Sequence, residues 1–192
     1  MLLLKLTYWL EMVAELIIRT PFALSTKSQT IVTKVNNKIE NILLVLLTLT
    51  MLPPLLYTVS NRLAFFDFVL PDWLGYIGVG LLLISVLIFW RSHYDLKNNW
   101  SATITIYKEQ ILVTNGIYQY IRDPMYLSLL ISSIGQIFIL QNWIAGPIRL
   151  IFFFPFYLVR KKNEEKLLEE QFGQQYLIYK EQTGSLFPKI RK

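Results

Sequence analysis

The sequence predicts an all-α integral membrane protein with about five transmembrane helices. Of its 192 residues, 54% are hydrophobic and only 17% are charged, whereas soluble domains have about 45–50% and 25%. Apolar segments of nearly bilayer-spanning length recur along the chain. The formal net charge is +6, and basic residues in so apolar a chain mark the cytoplasmic ends of membrane helices rather than a nucleic-acid surface. We therefore expect the membrane, and no nucleic acid, as a partner.

Four apolar segments of about 16–19 residues form the predicted core of this bundle. A bilayer core of about 30 Å requires about 20 residues at a rise of 1.5 Å each. None of the four contains Asp, Glu or Lys, and Arg149 is their only cationic residue. The segments are Ile42–Ser60, Trp73–Trp90, Met125–Leu140 and Trp143–Val159.

The N-terminal stretch Met1–Ile18 is apolar enough to span a membrane but contains Glu11 and Glu15. Since these residues are four apart, they share one helix face. That face fits lipid headgroups in an interfacial helix or the interior of a bundle. Periodicity leaves both alternatives open.

The distribution of charge between segments favours the spanning alternative. The loops over residues 19–40 and 91–122 and the tail from Arg160 are rich in Lys and Arg, whereas residues 61–72 contain Arg62 against two aspartates. If basic loops face the cytoplasm, the N-terminus lies outside and the C-terminus lies in the cytoplasm. Five crossings are therefore preferred, and four crossings plus an interfacial helix are the alternative.

The tail is the clearly soluble element. Residues Arg160–Thr183 contain no proline, and their apolar side chains recur at helical spacing. We expect an amphipathic helix that lies on the membrane or on the bundle, with its glutamates on a solvated face.

The loop before the third apolar segment is predicted to contain a short strand. Residues Ala102–Tyr107 alternate between small or polar and apolar side chains, which fits a strand or one arm of a hairpin with Gln110–Val113. Asp123 and Pro124 then read as the N-cap and first residue of a helix. No cysteine and only one histidine are present, so we expect no metal site, disulfide or cysteine nucleophile.

Two blocks of this half of the chain resemble a known family. Residues Asn115–Tyr126 resemble the Gly-x-Tyr-x-x-x-Arg-His-Pro-x-Tyr signature of the isoprenylcysteine carboxyl methyltransferase family and the related phospholipid methyltransferases. The tail resembles that family's second block, with Glu164-Glu165 a fixed distance before Phe172-Gly173. Residues Leu96–Ser101 are similar to an upstream Leu-Gly-x-x-Trp-Ser. The resemblance covers Leu96–Pro188 and is greatest to the small prokaryotic members of the family.

The resemblance implies one membrane methyltransferase domain over residues 1–192. Residues 1–95 would be N-terminal transmembrane helices, and residues 96–192 would be the cofactor-binding and catalytic half. It further implies that S-adenosylmethionine is held in a cytoplasmic loop region and leaves as S-adenosylhomocysteine. The partner would be a lipid or a prenylated small molecule or peptide, and we expect a monomer.

The resemblance also implies roles for particular residues. Arg160 and Glu164 would be catalytic, with Arg160 binding the acceptor carboxylate, for which a guanidinium is suited. Asp123 stands where the family has histidine, and a carboxylate, unlike an imidazole, only accepts hydrogen bonds. The residues expected to line the cofactor site are Thr105, Gln110, Ile111, Leu112, Val113, Tyr118, Asp123, Pro124, Met125, Tyr126 and Glu164.

Three functions remain open at this stage. The first is methyl transfer to the carboxylate of an isoprenylated cysteine or a similar lipid-borne acid, which mainly requires alignment of the reactants. The second is methylation of a phospholipid amine or a small thiol, where an amine would need a base. The third is a non-catalytic membrane scaffold with the same fold.

Overall fold

The computed structural model describes residues 2–26, 29–60, 62–101 and 103–189. These residues form a helical bundle with one two-stranded sheet at one end. The helices are α1 (Leu2–Ser25), α2 (Lys38–Leu49), α3 (Leu52–Val59), α4 (Asp72–Leu96), α5 (Pro124–Leu140), α6 (Ile148–Phe172) and α7 (Gln174–Gln182), and the strands are β1 (Ile31–Lys34) and β2 (Thr105–Tyr107).

All four predicted apolar segments are helical over most of their length. The first is broken at Thr50 and Met51, just before Pro53 and Pro54, so that α2 and α3 follow one another. By length and composition, two described spans, Lys38–Val59 and Asp72–Asn99, are suited to cross a membrane, and α5 is a shorter apolar helix. The fourth segment becomes helical only at Ile148, after a turn.

Helices α4 and α5 form the most extensive helix pair of the bundle. A Cβ atom at Gly78 would lie 2.8 Å from Ile139 Cγ2 and 3.1 Å from the carbonyl oxygen of Gly135. Because Gly78 and Gly135 have no side chains, the backbones of α4 and α5 approach closely, which is typical of helix packing in membranes. Tyr8, Tyr57 and Leu82 belong to the buried core beside this crossing.

Helix α1 turns its acidic face into the bundle. Glu11 is 4% exposed and lies 3.6 Å from Arg149 Nη1, while Glu15 lies 3.5 Å from Arg149 Nη2. The interior alternative for these two residues is confirmed. The opposite face exposes Leu3, Leu10 and other apolar side chains, as a lipid-facing helix does.

The two ends of the bundle differ in their contacts. At one end, Lys5 Nζ donates to the carbonyl oxygen of Tyr57 at 3.2 Å, and Phe68 N donates to that of Gln141 at 2.9 Å. At the other end, β1 pairs with β2 and α1, α2 and α6 present Arg19, Glu40 and Arg160.

The strand prediction is confirmed, but its predicted partner is wrong. β2 pairs antiparallel with β1, with Ile31 opposite Tyr107 and Lys34 opposite Thr105. Residues 110–113 form no strand, because the side chain of Gln110 turns back to accept a hydrogen bond from Tyr107 N at 3.1 Å. The sheet packs Ile104 and Ile106 against Leu167 of α6.

The predicted tail helix is also corrected. Its first half is the continuation of α6, which ends where Gly173 adopts φ +51°. This left-handed conformation suits glycine and redirects the chain into the separate helix α7. Beyond α7, the carbonyl oxygen of Gly184 accepts a hydrogen bond from Arg122 N at 2.8 Å, and that of Ser185 accepts one from Asp123 N at 3.2 Å. The C-terminal segment therefore lies across the start of α5.

Candidate active site

A cavity of about 590 Å³ opens at the end of the bundle that carries the sheet. Its size is within the range of ligand pockets. Its polar part lies between β2, the start of α5 and the middle of α6. Most of the residues predicted to form the site line this cavity: Thr105, Gln110, Tyr118, Asp123, Pro124, Met125, Tyr126, Arg160 and Glu164.

Three predicted residues lie elsewhere. Ile111, Leu112 and Val113 line a second cavity of about 370 Å³, and the backbone N–H of Ile111 donates to Asn99 Oδ1 at 2.8 Å. Because the chain turns at Gln110 instead of forming a hairpin, the residues after it point away from the larger cavity.

Arg160, Glu164 and Tyr126 form a hydrogen-bonded cluster on the cavity wall. Arg160 and Glu164 are one helical turn apart on α6, and Nε of Arg160 donates to Glu164 Oε1 at 2.9 Å. The same Nε lies 2.6 Å from the Tyr126 hydroxyl, which donates to Glu164 Oε2 at 2.8 Å. The cluster fixes a carboxylate at the cavity surface, as predicted for an inward-facing Glu164.

Glu40 is a member of this cluster that the sequence did not reveal. Its side chain is buried, and Oε1 lies 3.3 Å from Arg160 Nη1 while Oε2 accepts from Asn163 Nδ2 at 2.9 Å. The available signal was its position: Glu40 is the last charged residue before the apolar segment that begins at Ile42. Arg160 thereby joins α2 to α6.

The Asp123 carboxylate does not cap α5. Its Oδ2 accepts from the Tyr157 hydroxyl at 3.0 Å and from the Ser185 hydroxyl, and no backbone N–H of the helix bonds to it. Pro124 does occupy the first turn, as predicted. Asp123 is the N-cap residue by position, as predicted, but its side chain makes no capping bond because two hydroxyl groups from α6 and the C-terminal segment bind the carboxylate instead.

A second ionic cluster lies beside the cavity, around Arg122 and Glu165. Arg122 Nη2 lies 3.2 Å from Glu165 Oε1, and Lys180 Nζ lies 2.8 Å from Glu165 Oε2. Burial raises the pKa of Glu165, but the hydrogen bond and positive charge of Lys180 outweigh it, so the pKa lies below its usual value. Hydrogen bonds to Glu165 and Glu169 raise the pKa of Lys180. Glu169, expected to be solvated, is therefore paired, whereas Glu170 is exposed.

Tyr118 and His93 also line the cavity. Burial raises the pKa of Tyr118 well above its usual value, so its hydroxyl stays neutral and donates to the carbonyl oxygen of Ser92 at 3.4 Å. His93 is wholly buried against Phe89 and Trp100. Among the residues that the structure describes, no cluster of His, Asp or Glu is suited to hold a metal ion.

Comparison with known proteins identifies the family. Residues 73–175, more than half of the chain, match the sequence model of the phospholipid methyltransferases. This match spans α4, α5 and α6 with the segments between them, and it includes most of the residues that line the cavity. The chain belongs to the phospholipid methyltransferase family.

Curated relatives carry a more specific description. The chain is 30% identical over 120 residues to the protein-S-isoprenylcysteine O-methyltransferase of Tribolium castaneum, covering 62% of this chain and 43% of that protein. It is 40% identical over 86 residues to that of Dictyostelium discoideum, covering 43% and 35%. The human enzyme of the same name is 27% identical over 147 residues, covering 70% and 52%. The chain spans about half the length of these relatives or less.

A solved structure shares the fold. The eukaryotic intramembrane Ras methyltransferase, an isoprenylcysteine carboxyl methyltransferase, superposes with a TM-score of 0.57 at 25% identity. The superposition covers 81% of this chain and 55% of that one. The resemblance drawn from the two sequence blocks is therefore confirmed, and the mostly helical bundle is that of an intramembrane protein.

Proposed function

We propose that this chain transfers a methyl group from S-adenosylmethionine to a lipid-borne acceptor, the carboxylate of an isoprenylated cysteine or a similar acid. The observation that carries the proposal is one cavity with two chemically different parts. Its polar part is built mainly from residues of the two family blocks, together with Thr105 and Gln110, and its other part is apolar and lies between α1 and α2. The names of the curated relatives support the same reaction.

The polar part suits the methyl donor. The sulfonium of S-adenosylmethionine is a cation, and Glu164 and Asp123 place two carboxylates on the cavity wall. Tyr126 and Arg160 hold the first carboxylate, and Tyr157 and Ser185 hold the second. When bound, the donor supplies an already activated methyl group. The chain itself contributes alignment and a site with little water.

The apolar part suits a prenyl or acyl chain. Met12 and Leu16 of α1 face Leu44, Leu47 and Met51 of α2 or its end across the cavity. Their spacing places each set on one helix face. An acceptor chain held here would bring its head group to the polar part, where the donor site lies.

Methylation of a phospholipid amine is the second candidate, favoured by the description of the matching family. An amine must be neutral to attack a methyl group, so this reaction needs a base, whereas a carboxylate is already ionised at neutral pH. A comparison of prenylated acids with aminophospholipids as acceptors separates the two reactions.

Titration with S-adenosylhomocysteine in detergent tests the proposed function. Wild-type protein should bind it, and Glu164→Gln should weaken binding by about five- to 150-fold, the range for losing a hydrogen bond to a charged group. Glu170→Gln, on the exposed side of the same helix, is the matched control and should bind as the wild type does. No binding by the wild type would leave only the scaffold, and equal losses in both variants would show that Glu164 does not face the donor.

We further propose five membrane crossings, with the active site and C-terminus in the cytoplasm and the protein as a monomer. Because the chain lacks cysteine, single introduced cysteines report topology cleanly. Leu3→Cys and Phe65→Cys, both exposed at one end of the bundle, should be labelled from outside. Ile111→Cys and Phe187→Cys, exposed at the other end, should be labelled from the cytoplasmic side. Labelling of Leu3→Cys and Ile111→Cys from the same side of the membrane would show that α1 does not cross it.

A further inference from the structure

Arg19 is the arginine of the cavity wall for which the described residues provide no carboxylate partner. Its side chain is exposed, and its guanidinium carbon lies 5.4 Å from the centroid of the Trp100 ring. Stacking on an indole holds the cation in place without neutralising its charge. Each of the other arginines of the wall has an ion pair: Arg122 with Glu165, Arg149 with Glu15, and Arg160 with Glu164.

His93 adds a second polar group to the same part of the wall. Its ring centroid lies 5.2 Å from that of Trp100, and the side chain is wholly buried. Nδ1 lies 2.9 Å from the carbonyl oxygen of Phe89 and therefore carries the proton in the neutral ring. Nε2 has no hydrogen-bond partner among the described residues. Because the neutral ring leaves Nε2 as an acceptor, this atom calls for a hydrogen-bond donor on the ligand and cannot itself bind a carboxylate.

Arg19 lies at the end of the apolar, cavity-facing side of α1. Met12, Leu16 and Arg19 follow one another at spacings of four and three, so all three lie on one face, and all three line the cavity. At 1.5 Å per residue, Arg19 lies about 10 Å along the helix axis from Met12. A chain lying on this face would therefore reach the guanidinium with its head group.

Arg160 is occupied in a way that Arg19 is not. Its Nε already donates to Glu164 and Tyr126, and its Nη1 faces Glu40. Binding a further anion there would compete with these partners. Arg19 has no ion pair among the described residues, although Glu15, one turn earlier on α1, attracts it electrostatically.

We propose that Arg19 binds the carboxylate of the lipid acceptor, with the apolar chain along Met12 and Leu16. This inference rests on the proposed function and assigns to Arg19 the anion-binding role that the resemblance gave to Arg160. A guanidinium binds a carboxylate through two parallel hydrogen bonds. Arg19 would thus select acids over esters and over neutral lipids.

The test compares an S-prenylated N-acetylcysteine with its methyl ester, which has the same chain but no charge. Binding of both to the detergent-solubilised protein is measured without turnover. Wild-type protein should bind the acid at least ten times more tightly than the ester. Arg19→Gln should bind the acid about ten- to 100-fold more weakly, with ester binding unchanged. Arg19→Lys should recover part of the preference, and Arg62→Gln, an exposed loop arginine outside the cavity, should keep all of it.

The outcomes separate this inference from the proposed function. A wild-type protein that does not prefer the acid, or an Arg19→Gln variant that keeps the preference, would overturn the role of Arg19. Parallel loss of acid and ester binding in Arg19→Gln would also overturn it, because that pattern indicates a change of shape. Failure of the proposed function would instead appear as a wild-type protein that does not bind S-adenosylhomocysteine.

Discussion

Arg149 and Arg160 lie on the same helix, about three turns apart, in very different surroundings. Arg149 reaches Glu11 and Glu15 of α1 through contacts of 3.5–3.6 Å, and one oxygen of each carboxylate has no partner among the described residues. Around Arg160 the ion-pair contacts are shorter, 2.9 Å to Glu164 and 3.3 Å to Glu40, and Nε lies 2.6 Å from the Tyr126 hydroxyl. Arg149 links α1 to the rest of the bundle, and Arg160 holds the side chains of the candidate active site in place.

This difference follows from what each cluster must hold. Between α1, α5 and α6, the charges of Arg149 and the two glutamates neutralise one another where water is excluded, and Ser132 bridges Arg149 and Glu11 by hydrogen bonds. Presenting a carboxylate to a ligand requires a fixed side chain, and the Tyr126 hydroxyl and Arg160 Nε, which both donate to Glu164, provide it. The Arg149 cluster thus links α1 to the bundle, and the Arg160 cluster positions a carboxylate at the cavity.

Removing Arg149 should have the largest effect on stability. Arg149→Met would leave Glu11 and Glu15 buried without a counter-charge, and we expect the free energy of unfolding to fall by about 3–5 kcal/mol. Thermal unfolding in detergent measures this loss.

The matched variant replaces all three charges at once. Arg149→Met combined with Glu11→Gln and Glu15→Gln removes the unpaired charges, so most of the lost stability should return. A triple variant as unstable as Arg149→Met alone would show that the arginine acts through packing and not through charge.

Asp123→His, which restores the residue of the family signature, should have an intermediate effect. It removes the carboxylate that accepts from Tyr157 and Ser185, and we expect a loss of about 1–3 kcal/mol, since hydrogen bonds to charged groups are among the stronger ones. Ser185→Ala, which removes one donor and keeps the carboxylate, should lose less. Thermal unfolding compares the two variants, and unchanged stability in Asp123→His would indicate that this carboxylate is not held by the two hydroxyls.

The sequence was sufficient for the parts of the fold that depend on local composition. The apolar segments are helices because their length and purity leave few alternatives in a membrane. The sole cation of those segments, Arg149, and the acidic pair on α1 were visible, although periodicity could not decide that they meet. Pairing across long separations was out of reach, as β1 with β2 and Glu40 with Arg160 show.

The candidate site was predicted mainly from two motifs, so the prediction was best for residues that lie within them. Residues within the motifs, such as Tyr126 and Glu164, meet at the cavity as expected. Residues 111–113 did not: the resemblance assigned them to the site although they lie outside both motifs, and the turn at Gln110 takes them away from the cavity. Arg19 carries no motif, and only the placement of α1 against Trp100 reveals it.

The smallest effect on stability is expected at Lys166, whose ion pair is the most exposed of those that the described residues of α6 form. Lys166 Nζ lies 3.8 Å from Glu170 Oε1, with the two side chains 78% and 62% exposed. Water and salt screen such a pair, and i,i+4 pairs on helix surfaces contribute about 0.3–0.5 kcal/mol. Lys166→Ala should therefore change the free energy of unfolding by no more than about 0.5 kcal/mol, and 1 M salt should abolish even that difference. A loss above about 1 kcal/mol that persists in salt would mean that the Lys166 stem is packed against another surface, which would bring this turn of α6 down onto the membrane.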